Sequence, residues 1–289
     1  MRELKILAVV IFFTGVVYWG VEPFAHSQMH PHVAPADFAF KDLGVNDKKG
    51  DATKGAETFL NAGCTGCHGV TSQGMPAPMD HASASASFGV VPPDLSTAGA
   101  LYDKNFLAAL IKNPTKALKV EHKFNESRPH PMIAFYGLGG DIDQEIADIV
   151  AYLQSIAPVT PMEDKQVFMD ACQRCHDIKY DKVLRTTDQD AIKTYMGTIP
   201  PDLSMMIRSK GPEYLTTFIN DPQKQLAGTS MPRVGLTKKA QDQVIAYMDK
   251  VGDSKKAERE DLGYKLIGYM VFFTLLAYAW KVKIWREVH

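Results

Sequence analysis

The chain has 289 residues, 45% of them hydrophobic and 22% charged, a composition that supports buried cores and excludes a disordered polypeptide. Its 32 basic and 33 acidic residues leave a net charge of −1, which excludes a polybasic nucleic-acid binder. Four cysteines are too few to staple a chain of this length as a disulfide scaffold.

The first predicted element is Ile6 to Val21, uncharged and preceded by Arg2 and Lys5. Ala25-His26-Ser27 is an imperfect cleavage site, so a retained membrane anchor over 1–24 is expected in preference to a signal peptide. A linker over 25–49 follows. It holds His26, His30 and His32, read as a solvated interfacial stretch and not as a metal site, since no cysteine is near. A short helix containing Phe59 precedes Cys64-Thr65-Gly66-Cys67-His68. The stretch from His68 to Pro92, with Ala82 to Ser87 reading ASASAS, is expected to be irregular surface. Ile142, Ile146, Ile149, Val150, Leu153 and Ile156 then recur at mostly three- and four-residue spacing, which predicts a helix, with Asp141 and Gln144 as a capping box. A second series repeats the order: a helix with Phe168, then Cys172-Gln173-Arg174-Cys175-His176, then a helix with Val244, Tyr247, Met248 and Val251. The last element, Leu262 to Trp280, is long and apolar enough to span a bilayer, with Lys265 able to snorkel and with Tyr264, Tyr278, Trp280 and Trp285 placed as an aromatic belt. Lys281, Lys283 and Arg286 follow it. Positive charge at both outer ends puts both termini in the cytoplasm, and residues 22–261 on the periplasmic side of a bacterial inner membrane.

The two series form an internal duplication. An offset of 108 residues relates the two C-x-x-C-H motifs, Pro92-Pro93-Asp94-Leu95-Ser96 to Pro200-Pro201-Asp202-Leu203-Ser204, and Asn113-Pro114 to Asp221-Pro222. Gly137-Leu138 answers Gly235-Leu236 at a smaller offset, so the first copy carries about ten extra residues around Lys116 to Arg128.

C-x-x-C-H is the attachment sequence for c-type haem. Two thiols on one helical turn reach both vinyl groups of the porphyrin, and the adjacent histidine projects toward the iron. A zinc ribbon would need its cysteine pairs far closer together, and a thioredoxin-type pair would need a βαβ context. The motifs therefore predict two covalently bound haem c groups, at Cys64, Cys67 and His68 and at Cys172, Cys175 and His176. A proximal histidine needs its second ring nitrogen held, and the prolines of the two PPDLS stretches can present a carbonyl for this.

These segments resemble the cytochrome c family, in which a proline-containing stretch after C-x-x-C-H faces the histidine. That resemblance assigns the role to Pro93 and Pro201. Gly228-Thr229-Ser230-Met231-Pro232 resembles the family's G-T-x-M-P ligand loop and implies Met231 as the sixth ligand of the second haem. Met132-Ile133-Ala134-Phe135 resembles the corresponding loop of the first copy and implies Met132, with His130 as the alternative. Gly55 and Phe59 resemble the family's Gly-x-x-x-aromatic helix crossing; the second copy has Glu163 and Val167 there, with Phe168 one position late. Met205 and Met206 are read as core packing, His81 and His122 as incidental. Arg128, Arg208 and Arg233 are candidates for haem propionates, none singled out.

The implied fold is all-α: cytochrome c domains over 50–158 and 159–254, flanked by the N-terminal anchor and by a transmembrane helix and tail over 255–289. No catalytic acid, base or nucleophile stands out, which implies electron transfer with no catalytic site in the chain itself. A C-terminal membrane helix followed by Lys281, Lys283, Trp285 and Val288 resembles cytochrome c1 of quinol–cytochrome c reductases, and the whole chain resembles the two-haem c1-type subunit of bacterial bc complexes. That resemblance implies cytochrome b and the Rieske iron–sulfur protein as partners, with a periplasmic cytochrome c or terminal oxidase as acceptor. The alternatives are the two-haem subunit of a cbb3-type oxidase, which normally lacks the C-terminal helix, and a free membrane-tethered shuttle.

Overall fold

The computed structural model describes residues 2–29 and 35–288. His30 and His32 of the histidine stretch lie outside them. The fold is all-α, as expected: among the described residues there are helices and four isolated β-bridges but no strand.

The N-terminal helix runs further than the apolar stretch alone suggests. Helix α1 (Arg2–Val16) continues through a π-helical turn (Val17–Val21) into α2 (Glu22–Met29). Pro23 has no N–H to give and its ring crowds the carbonyl four residues earlier, so the ladder widens just ahead of it. At the other end α15 (Lys256–Val288) is continuous for 33 residues. Both helices are long and apolar enough to cross a membrane, and none of their apolar windows is buried against the rest of the chain. Lys281 pairs with Glu3, so the outer ends of the two helices meet. Asp253 anchors the start of α15 with two hydrogen bonds from Arg259, at 2.6 and 2.8 Å.

Between them lie two modules of matching plan. Module 1 contains α3 (Ala52–Asn61), α4 (His81–Phe88), α5 (Ala98–Leu101), α6 (Lys104–Lys112), α7 (Pro114–Ala117) and α8 (Ile142–Ser155). Module 2 contains α9 (Asp164–Cys172), α10 (Gln189–Met196), α11 (Met206–Lys210), α12 (Pro212–Asn220), α13 (Pro222–Gln225) and α14 (Lys238–Gly252). In each, the helix before the cysteines crosses the module's last long helix. Phe59 meets Tyr152 at 5.4 Å, and Phe168 meets Tyr247 at 5.1 Å. In module 1 a Cβ at Gly55 would overlap the Asp148 carbonyl and one at Gly50 the Ala147 carbonyl, so this crossing is backbone to backbone. Module 2 seals the same crossing with Val167 and Phe168, both fully buried, so the late aromatic still reaches its partner.

Several expectations need correction. The ASASAS stretch is not irregular: it is α4, capped by Asp80 accepting from the Ser83 N–H at 2.9 Å and ended by Gly89 at φ +76°. Its small side chains let it approach module 2, where Ser85 Oγ accepts from the Asp188 N–H at 3.1 Å. The Asp141 cap is half a box: its carboxylate accepts from the N–H groups of Asp143 and Gln144, while the Gln144 side chain donates instead to the Lys49 carbonyl and to buried Asp148. Met206 packs on the module 2 core, but Met205 is 41% exposed at the helix start.

Nor is the 25–49 segment a passive tether. Phe40 is buried between Phe106 of module 1, at 5.6 Å, and the Arg233 guanidinium of module 2, also 5.6 Å from its ring centroid. Burying one such ring contributes about 1.5–3 kcal/mol. The extra residues of the first copy have a similar task. They reach across to module 2: the Arg233 N–H donates to the Leu118 carbonyl at 2.9 Å, Lys119 pairs with Asp221 at 2.6 Å, and Arg128 donates to the carbonyls of Thr194 and Tyr195 at the end of α10. Leu101 of module 1 completes the core of module 2. A two-residue ladder around the Tyr102–Leu236 bridge stitches the backbones, with Asp103 N–H to Gly235 O at 3.0 Å and Thr237 N–H to Leu101 O at 2.8 Å.

Candidate functional site

Each C-x-x-C-H segment leaves its helix through one tight turn. The His68 N–H donates to the Cys64 carbonyl and the His176 N–H to the Cys172 carbonyl, both at 3.0 Å. The four thiols are free, with no disulfide between them. Burial pushes the thiols of Cys64, Cys172 and Cys175 up, Cys172 to about 12.

The two histidines are held identically. His68 Nδ1 lies 2.9 Å from the Pro93 carbonyl, and His176 Nδ1 lies 2.9 Å from the Pro201 carbonyl. A carbonyl only accepts, so Nδ1 carries the hydrogen and Nε2 keeps its lone pair for a metal. Burial lowers the pKa of both imidazoles, while the hydrogen bond to the proline carbonyl works against it; each stays neutral and competent as a ligand.

What presents those carbonyls is a framework the motif reading missed. After each C-x-x-C-H the chain makes one β-bridge, Val70 with Met75 and Ile178 with Val183. The Leu95 N–H then donates to the Gly69 carbonyl at 2.8 Å, and the Leu203 N–H to the Asp177 carbonyl at 2.9 Å. The remaining letters of PPDLS complete it. Asp94 accepts from the Thr71 N–H and Ser96 Oγ from the Ser72 N–H; Asp202 accepts from the Lys179 N–H and Ser204 Oγ from the Tyr180 N–H. The repetition of all five letters at one offset was the available signal.

The two methionine loops are held in place by contacts of their own. Met231 is half-buried against the module 2 core, and its loop is pinned by Ser230 Oγ donating to the Met196 carbonyl at 2.9 Å. Gln223 and His122 both contact the Thr229 carbonyl, at 2.8 and 3.2 Å, so His122, read as incidental, bridges from module 1 to this loop. Met132 is half-buried in the first loop. Both ring nitrogens of His130 are engaged. Nδ1 accepts from the Met132 N–H at 3.1 Å, and Nε2 meets the Tyr195 hydroxyl at 3.1 Å.

The arginines divide differently from the sequence candidates. Arg233, 3% exposed, is committed to Asp42 and Asp221, at 2.8 and 3.0 Å. Arg128 caps α10, and Arg208 sits 3.8 Å from Asp253. Arg233 Nε is nevertheless a buried donor without a hydrogen-bond partner, and Arg174 and Arg185 have donors to spare as well. Arg174 Nε and Arg185 Nη1 are buried donors without a hydrogen-bond partner in the chain. Arg185 is otherwise paired with Asp177, at 2.6 Å. Buried donors left over beside paired cysteines and a neutral histidine fit a haem, which brings vinyl groups, an iron and carboxylates.

The family comparison agrees with this chemistry. The family profile for Cytochrome c matches residues 52–157 and again residues 163–252. Curated proteins yield no match. A chain of a solved structure described as "Hyperthermophilic respiratory Complex III" is similar over 44% of this chain and 75% of that one, at 22% sequence identity and a TM-score of 0.35. With the profile matching on both modules, the chain belongs to the cytochrome c family and carries two covalently bound haem c groups in two tandem domains.

Proposed function

We propose that this dihaem electron carrier is the c1-type subunit of a bacterial quinol–cytochrome c reductase. The observation that carries the reading is the placement of two joined haem modules between two apolar helices whose outer ends meet through Lys281 and Glu3. When bound, the haems supply the one-electron chemistry. His68 and His176 would hold the irons, each oriented by the carbonyl of Pro93 or Pro201. Met132 and Met231 would serve as the further ligands. The engagement of His130 with Tyr195 and with its own loop supports Met132 over it. The cytochrome c domains extend over 50–158 and 159–254.

In this reading the electron donor is a Rieske iron–sulfur protein, cytochrome b is the membrane neighbour, and the acceptor is a periplasmic cytochrome c or a terminal oxidase. Both termini lie in the cytoplasm and the haem domains in the periplasm, a reading supported by the pairing of Lys281 with Glu3 near the outer ends of the two helices. Purification of the tagged chain in mild detergent tests the assignment. A b-type cytochrome and a Rieske protein are the expected companions. A haem–copper oxidase subunit would place the chain in a cbb3-type oxidase, and recovery of the chain alone would make it a tethered shuttle; either result overturns the reductase reading.

A further inference from the structure

The two C-x-x-C-H motifs differ in the residues between their cysteines. Module 1 has Thr65-Gly66 and module 2 has Gln173-Arg174. The side chain of Arg174 is not required by the motif, and its surroundings draw on both modules. One turn earlier on α9, Asp170 accepts a hydrogen bond from Thr97 Oγ1 of module 1 at 2.8 Å. The carbonyl of Arg174 itself accepts from the Thr187 N–H at 3.3 Å, and Thr187 Oγ1 accepts from the Val91 N–H of module 1, two residues before Pro93, at 3.1 Å. The motif segment of module 2 is thus pinned on both flanks to the segments that carry the module 1 histidine contact.

From there the guanidinium reaches Tyr102 of module 1, to which it hydrogen-bonds, and Tyr195 of its own module; burial raises both phenols and Arg174 opposes it in each. Meanwhile its buried Nε–H finds no acceptor in the chain. A donor in that position is costly unless an acceptor arrives, and the anionic groups a haem brings are its carboxylates.

We propose that Arg174 is a charge shared by the two haem sites, a positioning residue of one module that supports the reduced state of the haems in both. A fixed cation beside a haem favours the form with one positive charge fewer, and at a partly buried junction this attraction is weakly screened. Arg174 thereby makes the potentials of the two modules depend on one side chain. The inference rests on both haems carrying electrons, which a redox titration of the native chain in detergent establishes separately as two reversible one-electron components.

The same titration on Arg174→Gln is the test, with covalent haem content as the folding check. Both components should fall, each by about a tenfold change in its reduced-to-oxidised ratio, equivalent to about 59 mV for one electron. Arg174→Met, which keeps the aliphatic stem, is the second neutral variant and should behave alike. Arg174→Lys should hold both components near native, and Arg208→Gln, at an exposed site, should move neither. A shift confined to one component, no shift, or a fall in Arg174→Lys as large as in Arg174→Gln would overturn the proposal.

Discussion

The two modules share one haem-attachment plan and differ in nearly everything around it. The histidine-to-proline contact is 2.9 Å in both, and the β-bridge and the Asp and Ser contacts of PPDLS recur at the same offset. Around this common part, module 1 uses glycine where its helices cross and extends an insertion over its neighbour. Module 2 instead places charge beside its motif, with Arg174, Asp177 and Arg185 standing where module 1 has Gly66, Gly69 and Ala77. The difference teaches that the duplicated unit tolerates change wherever the haem attachment does not depend on it, and that the change went into joining the two copies. The charged group built on buried Arg233 and Asp221 with the more exposed Asp42 and Lys119, the Phe40 plug and the α4–α10 contact all lie at the junction.

The largest effect should come from the ligand loops, because axial ligands set haem potentials over a range of about 0.8 V. Met231→His and Met132→His should each lower one redox component and leave the other near native while keeping covalent haem. An unchanged titration would remove that methionine from the ligand set.

Next in size is the junction itself. Asp221→Ala leaves Arg233 buried without its buried anion, with only the more exposed Asp42 to pair it, and should cost about 3 kcal/mol in thermal or denaturant unfolding. The same pair has a pH signature. Burial pushes the Asp221 carboxyl up, but hydrogen bonds from Lys119 and Arg233 outweigh it and hold it below the ordinary carboxylate range. Its stabilisation is therefore complete above the unfolded aspartate pKa of about 3.9 and is lost as pH falls through the lower folded value. Asp221→Asn should flatten that acid limb of the stability curve.

A milder contrast separates the helix crossings. Gly55→Ala forces a methyl group toward the Asp148 carbonyl and should destabilise module 1 by about 1–3 kcal/mol. The matching position in module 2, Glu163, is exposed and makes no capping hydrogen bond, so Glu163→Ala should stay within about 0.5 kcal/mol. Equal effects would mean that the two crossings are not built differently.

The smallest pair probes the shared framework. Ser204 is buried, and Ser204→Ala would leave the Tyr180 N–H unmet at a cost of about 1–3 kcal/mol; the more exposed Ser96→Ala should cost about 0.5–1.5 kcal/mol. His130→Ala should leave the optical spectrum of both haems unchanged, since that ring is committed to Tyr195.

Much of this was legible in the residues. The motif with its adjacent histidine, the proline that answers it and the 108-residue offset are local chemistry repeated twice, and local chemistry survives in a linear reading. The ASASAS stretch was not legible, because alternating Ala and Ser carries no helical apolar face; α4 forms because a capping Asp80 starts it and small side chains can dock on α10. Phe40 was hidden for a related reason, since a lone aromatic in a polar stretch has no periodicity to announce its pocket. The insertion showed only as a shrinking offset, and nothing in its composition said that it crosses to the other module.

The sequence by itself determined the cofactor, its number and the all-α class, because covalent haem attachment is written in five consecutive residues and helices in their spacing. Only the tertiary structure decided how the two copies face each other and which arginines remain uncommitted. Those outcomes depend on pairs as distant as Asp42 with Arg233 and Thr97 with Asp170, whose partners are chosen by packing and by the cost of burying an unpaired charge.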